Sequence, residues 1–463
     1  MCGIAGVLQG LEHDDYETYI LLKKALSKLS HRGPDDQGIE RLEFNASGLM
    51  LGHTRLSIQD LSEAGHQPMT SNSGRYSIVF NGEIYNFVEL RDALKQKGYT
   101  FRSRTDTEVL LVAWEHWGKQ CLKMLKGMFA FAIADRKEQR LTCVRDGYGI
   151  KPLYYSKDED GFYFASELRA TTALMGGTPR PDLQWTLDYL VGGMYDKSER
   201  TALEGVKALL PGHLIEVSCS KPWNEATTTD QECWWKPEIN ETYGGSFEDA
   251  ADELRERLLA NVRMHLRSDV PVGAALSGGL DSSAVVCAMR ELQPEMELHT
   301  FTFVAPGSSI NEEGWAQMIN KKTNAISHQV IVEENDLVRD LPELIAAQGE
   351  PFGTTSIYAQ YRVFQAAKEA GIKVMLEGQG ADELLGGYSG YPVARMRSLI
   401  AQNDLRTAVK FAQNWSRGPG RGRRKALSAL GVSMLPDELL MKAQRFQAQL
   451  SMPSWINQKW LHE

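Results

Sequence analysis

Cysteine is scarce in this chain: Cys2, Cys121, Cys143, Cys219, Cys233 and Cys287 are the only six in 463 residues, and no two stand in CxxC spacing. Neither a zinc ribbon nor a disulfide framework is indicated, so reduced thiols are the plain expectation. A basic excess is also missing. The formal net charge is -9 at pH 7, which argues against a broad cationic face for nucleic acid. The one basic run, Arg417 to Lys425, reads as a solvated link. No apolar stretch reaches spanning length, and the first residues lack the charged-then-apolar build of a secretory leader, so the cytoplasm is the expected location. A GxxxxGK[ST] phosphate loop is absent as well.

What is present changes character midway. The length suits two or three domains with substantial cores. Short alternating runs at Gly3 to Leu8, Leu49 to His53, Tyr76 to Asn81, Met128 to Ala134, Leu141 to Arg145, Leu153 to Tyr155 and Phe162 to Ala165 predict strands in packed sheets. Helical patterns at Tyr19 to Ser30 and Thr107 to Lys123 interrupt them, which favours an α+β layered sandwich. From about Phe247 the rhythm becomes strand, loop and long helix. Helices are expected from Phe247 to near His265, from Ser283 to Glu291 and from Ser356 to Ala370. Strands are expected at Val272 to Leu276, His299 to Val304, His328 to Val332 and Lys373 to Leu376. Strands alternating with helices imply a parallel sheet. The boundary is expected between Ser218 and Gly245, a stretch heavy in Pro, Asn, Thr and Gly.

Two short segments carry chemistry. Cys2 follows the initiator directly, so removal of Met1 puts a thiol and a free α-amine on one residue, nucleophile and base without a histidine. The amine has a reference pKa of roughly 7.7 to 8.0 and the thiol one near about 8.5, so a modest electropositive surrounding is expected to supply the thiolate. Acyl transfer from a carboxamide needs two oxyanion donors, and Asn81 with the N–H of Gly82 can supply them, although Asn-Gly alone more often marks a hairpin turn. The second segment is Ser277-Gly278-Gly279-Leu280-Asp281-Ser282-Ser283, between a predicted strand and a predicted helix, where backbone N–H groups favour an anion. Asp281 inside such a cradle calls for a cation, and Mg²⁺ bridging it to phosphate oxygens resolves the conflict. A serine-hydrolase elbow around Ser277 fails because Ala275 stands where the first glycine belongs.

His31-Arg32-Gly33-Pro34-Asp35-Asp36, His53-Thr54-Arg55-Leu56-Ser57-Ile58, Asn81-Gly82-Glu83-Ile84-Tyr85-Asn86 and Arg104-Thr105-Asp106-Thr107-Glu108 resemble the class II glutamine amidotransferase domain. The resemblance implies an Ntn-hydrolase αββα sandwich with Cys2 as nucleophile and Asn81 and Gly82 as the oxyanion hole. Arg55, Asn81, Glu83 and Asp106 would bind glutamine. An arginine fork matches its α-carboxylate and an aspartate its α-ammonium. His31 is as well suited to bracing a loop as to acting on substrate. The SGGLDSS segment resembles the pyrophosphate loop of ATP pyrophosphatases, and Glu377-Gly378-Gln379-Gly380-Ala381-Asp382-Glu383 resembles a second element of that site in asparagine synthetases. The whole is similar to the glutamine-hydrolysing asparagine synthetase family from Cys2 to about Tyr391.

That resemblance implies residues 2–217 as the glutaminase domain, 218–246 as linker and 247–463 as a doubly wound parallel α/β domain of the adenine-nucleotide-hydrolase type. It implies ATP and Mg²⁺, with Asp281 and Asp382 on the metal and Ser277, Gly278, Gly279 and Ser282 on pyrophosphate. Ala275, Phe303, Glu377 and Gly378 would hold the adenosine part, and Glu350 to Ser356 would lie near the acceptor. Glutamine, ATP and aspartate are the expected partners, without nucleic acid or membrane, and a homodimer is left open. Two departures stand out. Gln379 replaces a glutamate found in many members, and after Tyr391 neither the family's Arg-Val-Pro-Phe segment nor its following lysine occurs, so a short or truncated synthetase half is expected. Amidation of a different carboxylate, such as a sugar carboxylate, and a glutaminase or ATP-binding protein with an inactive second site remain open at this point.

Overall fold

The computed structural model describes residues 1–177, 179–223, 228–238, 243–308, 311–388, 390–418, 421–436 and 438–439. The sequence from Tyr391 through Trp460 reads as helical and amphipathic, and from 440 onward it lies outside the described residues. The described residues form two compact units, one of Met1–Gly279 with Val285–Leu376, the other of Leu280–Ala284 with the chain from Glu377.

The first unit contains two six-stranded sheets. One comprises β1 (Gly3–Gly10), β2 (Asp36–Glu43), β3 (Ser47–Arg55), β8 (Tyr154–Lys157), β9 (Gly161–Ala165) and β10 (Val206–Ala208). Its order is β10-β8-β9-β1-β3-β2. The other comprises β4 (Met69–Thr70), β5 (Tyr76–Ile84), β6 (Gly127–Asp135), β7 (Arg140–Arg145), β11 (His213–Ser218) and β12 (Glu232–Cys233). Its order is β12-β11-β7-β6-β5-β4. All pairings in both sheets are antiparallel.

Alternation along β1 shows why this is a sandwich: Ile4 and Leu8 join Val79, Ala130, Phe162 and Phe164 in the layer between the sheets. Ala5 and Val7 point the other way, onto α1 (Asp15–Leu29) and α4 (Leu168–Leu174). The second sheet is covered on its far side by α2 (Phe87–Gln96) and α3 (Asp106–Trp117), through Leu90, Leu94, Val109 and Val112. The layers are therefore αββα, with β1 buried along its whole length. α5 (Leu183–Gly192) follows. The stretch expected to be a linker carries β12, and Trp234 from it packs on Phe129 and donates to the Arg145 carbonyl.

After α6 (Phe247–His265), whose start is fixed by a Ser246–Asp249 capping box, come β13 (Val272–Ala275), α7 (Leu280–Leu292), β14 (His299–Val304), α8 (Glu313–Thr323), β15 (Ile326–Ile331), α9 (Glu334–Gln348), α10 (Ser356–Glu369) and β16 (Val374–Leu376). The four strands are parallel in the order β15-β14-β13-β16. α6, α7 and α8 cover one face through Val262, Val286, Met289 and Ala316, while α10 covers the other through Val363 and Ala367. Helices on both faces make this the doubly wound arrangement. The second unit contains α11 (Ala381–Leu385), α12 (Tyr391–Ala401), α13 (Leu405–Trp415) and α14 (Arg423–Ser433), the last three meeting around Met396, Ala412 and Ala426.

Phe162 is fully buried between the sheets, stacked on Tyr155. Phe162→Ala is expected to destabilise the sandwich by about 3–5 kcal/mol. A urea midpoint shift worth less than about 1 kcal/mol would contradict this packing scheme.

Candidate functional site

Cys2 sits one residue before β1 and is fixed from two sides. Its carbonyl accepts from Arg32 Nε at 2.9 Å. Its sulfur lies against the backbone of Leu56, accepting from the N–H at 3.4 Å and donating to the carbonyl at 3.8 Å. Arg32 is held by Glu167 at 3.1 Å, and Glu167 in turn takes His31 at 2.8 Å and Arg169 at 2.7 Å. His31 is thus a brace for Glu167. His53, fully buried with Nε2 on the Phe80 carbonyl at 3.1 Å, is pushed down to about 3 by burial and stays neutral.

Burial also sets the protonation of the nucleophile. It pushes the Cys2 thiol above its ordinary value, more than the chain's α-amine and the Leu56 backbone lower it. The α-amine, here that of Met1, is pushed down to about 5 by the same desolvation. Lys151, also buried, falls to about 8, first through burial and then through the neighbouring Arg32 charge. Among the described residues Lys151 is the one side-chain cation whose charge acts on the sulfur, and burial with the Glu83 and Asp106 charges holds the thiol neutral, where the sequence led to the expectation of a thiolate.

The charges of Glu83 and Asp106 act on that same thiol. Glu83 and the oxyanion candidates lie together on β5. Asn81 is fully buried, and among the described residues neither its Nδ2 nor its Oδ1 has a hydrogen-bond partner. A buried polar group left unpaired costs about 1–3 kcal/mol, so a native fold that keeps one invites a functional explanation. Gly82 is obligatory, since a Cβ there would strike the Met128 carbonyl. Asp106 opens α3 behind the Thr105 cap and accepts from the Ile84 N–H at 2.9 Å, yet burial pushes it up to about 6. Glu83 is raised well above the carboxylate range by burial and then by the Asp106 charge.

Arg55 ends β3 and is buried. Its Nη1 donates to the Ser62 carbonyl at 2.7 Å and its Nη2 to that of Asp60 at 2.5 Å. Nη2 also reaches the Gln59 carbonyl at 3.5 Å, so the guanidinium anchors the 59–62 loop and Nη1 retains a second hydrogen for a ligand. A cleft of about 450 Å³ beside this loop is lined by Asp60, Ser62, Arg91 and Arg104 but by none of Cys2, Asn81 or Asp106. It is a separate feature from the chamber around the thiol.

Sequence reasoning missed Arg32 and Lys151. Arg32 lies inside a quoted motif, but its role depends on Glu167, far away in the chain. Lys151, in Gly149-Ile150-Lys151-Pro152, offered one signal: a lysine set beside an apolar residue and a proline.

The parallel sheet reverses its strand order between β13 and β16, the switch point where α/β sheets bind ligands at their carboxyl ends. Ser277, Gly278 and Gly279 follow β13. Gly278 has φ +93°, and a Cβ there would lie 2.9 Å from Ala316 N and Trp315 Cβ, so only glycine suits. Ser277 Oγ accepts from the Gly279 N–H at 3.2 Å. Gly279 is the N-cap of α7 and brings no capping side chain, which leaves the helix start suited to an anion. Ala275 ends β13, and Phe303 on β14 is 37 % exposed.

In the second unit, Asp281 and Ser282 back directly onto Gly378, where a Cβ would come within 2.8 Å of Ser282 N. Glu377 precedes Gly378, and Asp382 lies in α11. Among the described residues no three His, Cys, Asp or Glu side chains are grouped to hold a metal. Asp281 and Asp382 therefore fit Mg²⁺ only with water and phosphate oxygens completing its shell, which is that ion's habit. Glu350 accepts from the Ala202 N–H at 2.7 Å and is raised by burial. Thr355 takes the N-cap position of α10 without a side-chain bond.

Residues 1–232 match the family description "Glutamine amidotransferase domain", and residues 253–462 match "Asparagine synthase". The asparagine synthetase [glutamine-hydrolyzing] 1 of Bacillus subtilis is 31% identical, over 96% of this chain and 68% of its own length. The amidase chry2 of Gibberella zeae is 30% identical, over 84% of this chain and 60% of its own. Among solved structures, the glutamine phosphoribosylpyrophosphate amidotransferase of B. subtilis aligns with TM-score 0.38 and 16% identity, over 81% of this chain and 90% of that one. No described helix is long and apolar enough to cross a membrane. With both domain descriptions matched in order and a relative at 31% identity over 96% of this chain, the chain belongs to the glutamine-hydrolysing asparagine synthetase family.

Proposed function

We propose that this chain is a cytoplasmic, glutamine-dependent asparagine synthetase working on small molecules alone. Residues 2–217 hydrolyse glutamine, 218–246 connect, and 247–463 activate aspartate with ATP and Mg²⁺. The observation that carries the reading is Asn81, fully buried and, among the described residues, with neither side-chain polar atom partnered. It stands beside Gly82 on the strand that bears Glu83.

With Met1 removed, Cys2 Sγ attacks the carboxamide carbon and its proton passes to the Cys2 α-amine. The free α-amine on the same residue serves as the base, without a histidine. Asn81 Nδ2 and the Gly82 N–H hold the oxyanion in a dry setting, where such donors are strongest. Collapse of the tetrahedral species expels nitrogen, which takes the amine's proton and leaves as ammonia. Water then releases glutamate from the thioester. Arg55 and Asp106 hold the α-carboxylate and α-ammonium. On the second site, Ser277, Gly278, Gly279 and Ser282 bind the pyrophosphate part of ATP and Asp281 and Asp382 bind Mg²⁺, which supplies charge neutralisation. Ala275, Phe303, Glu377 and Gly378 bind the adenosine part. The aspartate carboxylate displaces pyrophosphate to give an acyl-adenylate, and ammonia displaces AMP to give asparagine. Ammonia must arrive unprotonated and the adenylate must avoid water, which favours a sheltered passage.

Gln379, exposed and unable to act as a base, favours a second reading in which another carboxylate is amidated. The relative named an amidase is consistent with it. Purified protein is to be assayed for pyrophosphate and asparagine with ATP, Mg²⁺ and aspartate, comparing glutamine with ammonium chloride. Stoichiometric asparagine and pyrophosphate support the reading; glutamate alone moves it to another acceptor or to a bare glutaminase. Cys2→Ala is expected to abolish glutamine-dependent turnover and spare ammonia-dependent turnover, and equal loss of both would contradict two separable sites.

Asp106 adds a pH test. Only its ionised form pairs with an ammonium, so glutamine affinity is expected to fall as pH drops below about 6. The stability sign is opposite to that of a salt-bridged aspartate. Its folded pKa lies above the unfolded value near about 3.9, so stability falls as pH rises through the window from about 4 to 6. Asp106→Asn is therefore expected to lose glutamine turnover yet unfold at higher urea than the parent at pH 7.5. A lower midpoint would contradict the buried, costly charge.

A further inference from the structure

A turn outside the sandwich holds both arms of the glutamine clamp. Arg267, Ser268 and Asp269 connect the end of α6 to the approach to β13, and Ser268 Oγ stiffens the turn by donating to the Val270 carbonyl at 2.9 Å. Asp269 Oδ2 accepts from the Asp60 N–H at 2.8 Å, while the Asp269 N–H donates to the Ile58 carbonyl at 3.0 Å. The Arg267 carbonyl accepts from Gln59 Nε2 at 2.5 Å. Its guanidinium donates to the Tyr85 carbonyl at 2.7 Å and to both oxygens of Glu89 at 2.7 and 2.5 Å. The Tyr85 ring lies 3.7 Å from that of His265, at the end of α6.

The residues so gripped are those that shape the site. Asp60 has φ +53°, a left-handed conformation that a non-glycine residue keeps only when its surroundings over-determine it. Those surroundings are Asp269 on its N–H, Arg55 on its carbonyl, and Ser62 Oγ and the Arg104 N–H on its carboxylate at 2.6 and 2.7 Å. Gln59 meets the Glu83 carboxylate with the same side chain that reaches Arg267. Tyr85 follows Asn81-Gly82-Glu83-Ile84 directly. One turn therefore fixes the loop that Arg55 anchors and the end of the strand that bears the oxyanion donors.

We propose that Arg267 and Asp269 are positioning residues for glutamine hydrolysis, a turn of the synthetase half setting the geometry of the glutamine clamp. This rests on the reading of Arg55, Glu83 and Asp106 as that clamp. Half-exposed ion pairs add little to stability. Their effect falls on the placement of Arg55 and Asp106, which hold the α-carboxylate and α-ammonium in ground state and transition state alike, so a displaced clamp raises KM and leaves kcat nearly unchanged.

The test uses the full chain with glutamate release as readout. Asp269→Ala and Arg267→Ala are expected to raise the KM for glutamine about tenfold, with kcat within about twofold. Ammonia-dependent pyrophosphate release should stay within about twofold of the parent. Asp269→Asn, whose amide oxygen still accepts from Asp60, should restore the parent KM, and Arg267→Lys, which cannot span Tyr85 and Glu89 together, should restore it in part. An unchanged KM in both alanine variants, or equal loss of the glutamine- and ammonia-dependent reactions, overturns the proposal. If the parent releases no pyrophosphate with ammonia, the synthetase reading fails, while the glutamine KM values still decide this one.

Discussion

Desolvation of the groups packed around Cys2, itself only part-buried, is the constraint on which the rest of the structure depends. It holds the thiol protonated, depresses the α-amine to about 5 and Lys151 to about 8, and raises Asp106 to about 6. None of these states suits an idle protein, since each is a charge or hydrogen bond made costly. On the proposed reading they become favourable together when a zwitterionic amide enters: a cation would meet Asp106, a carboxylate Arg55, and an oxyanion Asn81. Preorganised donors in a dry site act without reorganisation at the moment of reaction. Two six-stranded sheets packed face to face supply that burial, and β1, buried throughout, carries Cys2 at its start.

The same space is tied to the parallel sheet through polar contacts. Besides the Arg267–Asp269 turn, Asp35 accepts from the Ser57 N–H at 2.8 Å and from Lys373 at 2.9 Å. Ser57 is next to Leu56, whose backbone touches the Cys2 sulfur. Lys373 immediately precedes β16, and Asp269 lies three residues before β13, so both ties attach to the strands flanking the switch point. Under the proposed function, in which ammonia passes from one reaction to another, these ties would fix the strands against the clamp.

Much of this was legible in the sequence because local rules govern it. Short alternating runs bounded by turn residues marked β1, β5 and β6, which the fold buries on both faces, and the helical period marked α1, α6 and α10. β2 escaped because Asp36–Glu43 is mostly polar and takes its strand form from pairing with β3. The helix expected from Thr107 to Lys123 ends as an α-helix at Trp117, because Gly118 takes φ +56° and the chain tightens into a 3₁₀ turn. Cys2 and Asn81 were visible as motifs. That both sit where desolvation overrides charge was not, because burial is a property of the assembled sheets. Arg32, Lys151, Arg267 and Asp269 were hidden for the same reason, each acting through partners distant in the chain.

The most direct test of the account is to treat the protein with a diazoketone analogue of glutamine and map the adduct by mass spectrometry. The account predicts a single alkylation on an N-terminal peptide that begins at Cys2, with Met1 gone, and protection by glutamine. An adduct on another of the six cysteines, or reaction in a chain that keeps Met1, would contradict it.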